Sequence, residues 1–233
     1  MIIVDDASED KTPVVIKSIQ NQYGEDWVKI ILLKKNSGPG AARNYGWDAA
    51  TQPYIAFLDA DDTWHPCKID VQLRYMLSHP DVVITGHRSR CIRNNERIET
   101  HFSLQKGSFN KANRWKLLIS NYFSTRSVML SNDLEFRFEP TKRYSEDYLL
   151  WLRIICKKYE AAFANIDLAY FYGEPYKAGG LSSQLWEMEK GELDTYRNLY
   201  HDALISWPLL VGLSLLSLTK YLRRILTSRL SKE

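Results

Sequence analysis

Residues 54–62 read Tyr-Ile-Ala-Phe-Leu-Asp-Ala-Asp-Asp, an apolar run without alternation that ends in three carboxylates, Asp59, Asp61 and Asp62. Apolar from Tyr54 to Leu58 and bounded by Gln52-Pro53, the run predicts a strand buried on both faces of a parallel sheet. The carboxylates then stand at its carboxyl end, the edge at which open α/β sheets bind ligands. Asp-x-Asp in that place can hold a hard divalent cation, which can bridge the oxygens of a diphosphate. A plain strand-to-loop turn favours the same residues.

The chain before this run repeats the same logic. Met1 to Val4 predicts a buried strand ending in Asp5-Asp6-Ala7-Ser8. Lys11 to Tyr23 predicts a helix, with Pro13 in its first turn and Val15, Ile16, Ile19 and Tyr23 on one stripe. Val28 to Leu33 predicts the next strand, and strand, helix, strand in this order is a right-handed parallel crossover. Asn36 to Ala50 follows, in which Gly38, Pro39 and Gly40 make a tight loop. The small residues Ala42, Gly46, Ala49 and Ala50 let the next helix pack close on the sheet. Arg43 near its start either meets an anionic, nucleotide-like ligand or is a solvated charge.

Three stretches, Ile2-Ile3-Val4-Asp5-Asp6-Ala7-Ser8, Asn36-x-Gly38-Pro39-Gly40-Ala41-Ala42-Arg43-Asn44-x-Gly46 and the 54–62 run, together resemble the nucleotide-sugar half of family 2 glycosyltransferases. The resemblance covers roughly the first two-thirds of the chain in order and spacing. It implies the α/β GT-A fold, a Rossmann-like, mostly parallel sheet flanked by helices. It further implies that Asp6 contacts the nucleotide base, that Asn36 and Arg43 border the nucleotide, and that Asp59 serves the ribose. Asp61 would serve a Mn2+ or Mg2+ ion, and the donor would be a nucleotide-sugar, most commonly of uridine diphosphate. The family's usual first strand and Pro-x-Tyr-Asn-like loop do not precede Met1, which implies either a truncated start or impaired nucleotide binding.

Beyond the carboxylates, Pro66 opens a helix expected to bury Ile69, Leu73, Met76 and Leu77, and Asp81 to Gly86 reads as a strand. Trp64 and His65 line a sugar pocket or simply pack. Arg88 to Phe102 reads as a polar hairpin turning at Asn94-Asn95. A helix over Lys111–Ser120 and a short strand over Arg126–Ser131 follow. Tyr144 to Arg153 carries Ser145 as a candidate N-cap and two acidic residues in a first helical turn. Leu149, Leu152, Ile155 and Cys156 would bury the far stripe and leave Asp147 facing a cleft. This stretch resembles the family's acceptor-side motif, in which Asp147 would act as general base for transfer with inversion. Tyr176 to Gln184 resembles a flexible loop closing over substrate, or is an ordinary surface loop.

The last 50 residues differ in character. Ala203 to Thr219 carries no charge, and Lys220, Arg223, Arg224, Arg229 and Lys232 follow. This predicts a helix on the cytoplasmic face of the membrane with its cationic end on anionic lipid, or a helix packed on the domain. The expected division is therefore a GT-A domain over 1–183, with a nucleotide-sugar half (1–87) and an acceptor half (88–183), and a helical membrane-associating region over 184–233. A net charge of +3 is too small to imply nucleic acid. Three spaced cysteines and an opening without a signal-peptide pattern fit a cytoplasmic, membrane-peripheral protein. The acceptor class suggested by the tail is a glycan or lipid-linked sugar, as in bacterial surface polysaccharide synthesis. Two rival readings are a haloacid-dehalogenase-like phosphatase using Asp59 as nucleophile and a catalytically impaired membrane-bound remnant.

Overall fold

The computed structural model describes residues 1–92, 108–172 and 184–230, with side chains up to 227. Strands β1 (Ile2–Asp5) and β2 (Lys29–Leu32) pair in parallel, joined by helix α1 (Thr12–Tyr23), the crossover that the sequence predicts. The stripe on α1 is only partly realised: Ile16 and Gln20 are buried, while Val15 and Tyr23 are exposed. A two-stranded ladder is too narrow to cover the helix face that the sequence marks as apolar.

The main sheet runs β3 (Tyr54–Ala56), β7 (Met129–Ser131), β5 (Val82–Ile92), β8 (Glu160–Tyr172), β4 (Asp62–Trp64), with β6 (Phe109–Lys111) on β8. Only β5 and β8 pair in parallel here, so the α/β architecture holds with a mixed sheet. β3 pairs antiparallel with β7, Ile55 opposite Leu130, and stops at Ala56. Its apolar continuation serves packing instead: Phe57 meets Trp47 at 5.7 Å and Phe138 at 5.1 Å between ring centroids, while Leu58 is exposed. Arg88 to Ile92 continue β5 along β8, so the start of the expected hairpin is a sheet strand. Its remaining residues lie outside the described residues, as does the loop expected over Tyr176–Gln184 apart from Gln184 itself.

Helix α2 (Pro39–Asp48) follows Gly38, whose φ of 87° suits glycine. Helix α3 (Lys68–Ser78) buries Lys68, Val71, Gln72 and Met76, and leaves Ile69 and Leu77 exposed. The expected stripe was rotated because Lys68 and Gln72 find backbone carbonyls to bond inside the core, which apolar counting cannot foresee. Helix α4 (Arg114–Ile119) starts at Asn113, whose side chain accepts from the Lys116 amide at 3.0 Å. Helix α5 (Glu146–Cys156) is buried on nearly all sides.

Helices α6 (Leu185–His201) and α7 (Trp207–Leu230) close the chain, and Tyr196, Leu199, Ile205 and Leu213 join the same core as Trp47, Leu149 and Trp151. The uncharged run that begins at Ala203 is not one helix: a turn with Ala203 at φ 56° precedes α7. The inner face of α7 is fixed to α6 by polar contacts, Ser217 and Arg224 to Glu189 at 2.7 and 3.0 Å and Lys220 to Glu192 at 2.7 Å. Its outer face exposes Trp207, Val211, Leu215, Leu222 and Leu226 at helical spacing. Among the described residues no helix is long and apolar enough to cross a membrane.

Candidate active site

At the end of β1, Asp6 binds the loop before α2 with both oxygens: Oδ1 accepts from the Ser37 amide at 2.7 Å and Oδ2 from the Gly38 amide at 2.8 Å. Asn36 Nδ2 donates to the Asp6 carbonyl at 3.3 Å. The two amides just before α2 are thus spent on a carboxylate of the chain itself, which complements the positive end of the helix. A Cβ on Gly40 would stand 3.2 Å from the Glu139 carbonyl and 3.3 Å from Glu146 Cγ, so this glycine allows α2 to meet the start of α5. Asn44 bonds both the Phe138 carbonyl and amide, at 2.8 and 3.0 Å, and fixes the approach.

That close contact puts Arg43 between two carboxylates. Its Nη2 donates to Asp59 at 2.8 and 3.1 Å, its Nη1 donates to Glu146 at 2.7 Å, and its guanidinium lies over the Phe138 ring at 5.5 Å. Burial opposes the charge, but Asp59 and Glu146 outweigh it and hold the Arg43 pKa above its ordinary value. Arg43 is therefore neither a solvated charge nor a free cation. It joins the Asp-x-Asp loop to the acidic helix start, which lie 87 positions apart between Asp59 and Glu146 (146 minus 59).

The three carboxylates after β3 part company. Asp59 faces Arg43, Asp61 is exposed, and Asp62 is buried with Arg126 Nη1 at 2.6 Å. Burial pushes the Asp62 carboxyl up to about 6, against the pull of Arg126. Among the described residues no group of three or more His, Cys, Asp or Glu side chains is placed to hold a metal alone. The donor set nevertheless fits a hard cation of the Mg2+ or Mn2+ kind, which takes one or two protein carboxylates and completes its shell with phosphate oxygens and water. Asp61 is the exposed oxygen donor available for it.

At the start of α5, Ser145 occupies the N-cap position but makes no side-chain cap bond, since it sits in the left-handed region at φ 57°. The expected Ser145 cap is thus absent, and the turn is held by Asp147, whose Oδ1 accepts from the Tyr148 amide at 2.6 Å. Asp147 Oδ2 accepts from Thr125 Oγ1 at 3.0 Å and from Asn121 Nδ2 at 3.5 Å. Desolvation pushes the Asp147 carboxyl up, with Arg43 and Thr125 pulling the other way. Glu146 is pushed up by burial and by Asp147, and pulled back by Arg43.

Trp64 and His65 serve packing: Trp64 Nε1 donates to the Arg126 carbonyl at 2.8 Å, and His65 is buried. Glu146, Asn121, Thr125 and Arg126 complete the site without any sequence signal beyond the Glu-Asp pair. Their contacts span 22 to 103 positions and follow no local pattern.

Glycosyl transferase family 2 has a family model that matches residues 1–138. The chain belongs to this family. The match contains Asp6, Asn36, Arg43, Asp59 and Asp61, while Glu146 and Asp147 lie beyond it. An uncharacterized glycosyltransferase of Haemophilus influenzae is 31% identical over 154 residues, covering 65% of this chain and 58% of its own length. WfgD of Escherichia coli, a UDP-Glc:alpha-D-GlcNAc-diphosphoundecaprenol beta-1,3-glucosyltransferase, is 27% identical over 179 residues, covering 71% of this chain and 67% of its own. The mannosyltransferase PcManGT of Pyrobaculum calidifontis, solved with GDP-Man and Mn2+, superposes with TM-score 0.62 at 14% identity, over 98% of this chain and 65% of its own. The family 2 chain described here thus spans little more than half the length of the first of these relatives. The family assignment leaves the phosphatase reading of Asp59 without support.

Proposed function

We propose that the chain transfers a sugar from a nucleotide-diphosphate donor to a hydroxyl of a glycan or lipid-linked acceptor, with inversion, and that uridine diphosphate is the carrier. The observation that carries this reading is Arg43, which holds Asp59 on the donor side and Glu146 beside Asp147 on the acceptor side. The activity of WfgD, a UDP-sugar donor with a diphosphoundecaprenol-linked acceptor, supports the substrate classes.

In this reading Asp6 and Asn36 shape the loop that borders the base, and Asp59, half-exposed beside Arg43, accepts from the ribose. Asp147 takes the proton of the acceptor hydroxyl as it attacks the anomeric carbon from the face opposite the diphosphate. Desolvation raises its pKa and makes it a stronger base than an ordinary aspartate, and Arg43 and Thr125 favour the ionised form that accepts the proton. Arg43 lies within electrostatic reach of Asp147 as well as its two bonded carboxylates. A divalent cation held by Asp61 and the diphosphate oxygens would supply compensation for the charge gathering on the leaving group.

Asp61→Ala is expected to abolish the metal-dependent part of nucleotide binding, because the exposed oxygen donor is lost and the other two carboxylates of the loop are bonded to Arg43 and Arg126. Calorimetry with uridine diphosphate, with and without manganese, measures it. Equal affinity of wild type and variant in manganese would remove the metal role from Asp61.

The acceptor side suggests a membrane face. The outer stripe of α7 exposes Trp207, Leu215 and Leu222, and Trp115 and Ile119 of α4 are exposed where Lys220 donates to the Ile119 carbonyl at 2.7 Å. Apolar burial supplies a salt-insensitive part of such binding, and each free basic residue adds about 1 kcal/mol on an anionic surface, which salt screens. Lys220 and Arg224 are already paired with α6, so the screened part is the smaller one. Leu215→Glu with Leu222→Glu is therefore expected to stop co-flotation with anionic liposomes, whereas high salt releases the wild type only in part. Flotation of the double variant at wild-type level would defeat the membrane reading.

A further inference from the structure

Between α4 and β7 the chain makes a single 3-10 turn, Thr125–Ser127, whose side chains and carbonyls point to different tasks. Outward, Thr125 Oγ1 donates to Asp147 Oδ2 at 3.0 Å and Arg126 Nη1 to Asp62 Oδ1 at 2.6 Å. Inward, three consecutive carbonyls that precede the β7 ladder are each met by a side chain. Trp64 Nε1 donates to Arg126 O at 2.8 Å, Gln72 Nε2 to Ser127 O at 2.9 Å, and Lys68 Nζ lies 3.5 Å from Val128 O.

The cost of this arrangement shows that it is specific. Lys68 and Gln72 are wholly buried in a helix face that could have carried leucines, and burial pushes the Lys68 amine down to about 7. Gln72 directs its amide nitrogen to Ser127 O and to Thr85 Oγ1 at 3.0 Å, whereas its buried Oε1 has no hydrogen-bond partner among the described residues. The side chain is thus held in place by its donor end. Lys68 also lies 4.3 Å from the centre of the Trp64 ring, so the three donors form one block behind the turn.

We propose that Trp64, Lys68 and Gln72 are positioning residues for the transfer step: they clamp the turn by its carbonyls so that Thr125 is held against the carboxylate of Asp147. This rests on the reading of Asp147 as the general base. The groups that bear on Asp147 are Arg43 from α2, Asp59 from the loop after β3, Glu146 and Tyr148 from α5, and Thr125 and Asn121 from the clamped segment. Of these only Thr125 lies in the turn, and Asn121 precedes it. A slack turn therefore withdraws one hydrogen bond from the ionised carboxylate and leaves the charges around it in place.

The test reads Asp147 directly, by carbon-13 NMR titration of its carboxyl in the full chain, assigned by the signal lost in Asp147→Asn. Thr125→Val removes the hydroxyl alone and should raise the titration midpoint by roughly half a unit to one unit, or three- to tenfold in proton affinity, the scale of one bond to a charged acceptor. Gln72→Met, and separately Lys68→Met, should move it in the same direction, and adding Thr125→Val to Gln72→Met should move it little further. An unmoved midpoint in both folded methionine variants, or in Thr125→Val, would overturn the proposal, as would loss of the fold in both methionine variants, which would make the block a folding requirement only. Full transfer activity in Asp147→Asn would instead overturn the base assignment, a separate outcome from any of these.

Discussion

Asp147→Asn should lower glycosyl transfer by on the order of a hundredfold or more and leave donor affinity near that of the wild type, as expected when a general base is lost from a site whose donor contacts lie elsewhere. The amide keeps the size of the side chain, its oxygen can still accept from the Tyr148 amide and its nitrogen can donate to the Thr125 hydroxyl, so the helix start should hold its shape. The pH profile adds a second reading. Desolvation raises the Asp147 pKa, and the base works only when ionised, so the acidic limb of the wild-type rate should lie above the usual aspartate range and vanish from the residual rate of the variant. Measured transfer from a uridine-diphosphate sugar, beside calorimetric donor binding, separates the two quantities. Activity close to wild type would place the base elsewhere, and an equal loss of donor binding would make Asp147 structural.

Arg43→Ala should cost both activity and fold. The guanidinium is largely buried, and its removal leaves the buried Glu146 without its cation, a change worth about 3–5 kcal/mol when a buried pair loses one partner. The loss should depend on pH in a defined direction. Burial and Asp147 already raise the Glu146 pKa, and without Arg43 it rises further, so the folded variant binds a proton that the unfolded chain releases. Stability of the variant relative to wild type therefore falls as pH rises through the window above the ordinary glutamate value and recovers below it. Arg43→Lys should restore part of the stability but not the two-sided contact, since an ammonium cannot present a planar fork to Asp59 and Glu146 together. Denaturant unfolding at acidic and neutral pH measures each of these.

What the sequence made legible was local. The longer strands, the helices and the acidic motifs are readable because each is a short pattern of period, punctuation and charge, whereas the three-residue strands β4 and β6 carry no such pattern. Asp6, Asn36, Arg43, Asp59, Asp61 and Asp147 each stand in such a motif. The stripe of α3 departs from its apolar pattern because a lysine and a glutamine can be buried when carbonyls elsewhere in the chain need donors, and nothing near Lys68 announces that need. Ser145 does not cap α5 because its backbone is left-handed, and Asp147 accepts from the Tyr148 amide instead. Thr125 and Arg126 were invisible for the same reason as Glu146: their partners come from other elements, and a single sequence carries no trace of contacts made at such separations.

A guanidinium shared by Asp59 and Glu146 also makes the two ends of the cleft thermodynamically interdependent. Under the proposed roles, ribose hydroxyls that compete for Asp59 would loosen its hold on Arg43, and the released positive charge would act more fully on Glu146 and Asp147, lowering their affinity for protons. By reciprocity, a proton added to that acidic pair would return Arg43 to Asp59 and weaken the grip on the donor. Loading the donor would then ready the base, and the base would be less fully ionised before the donor arrives.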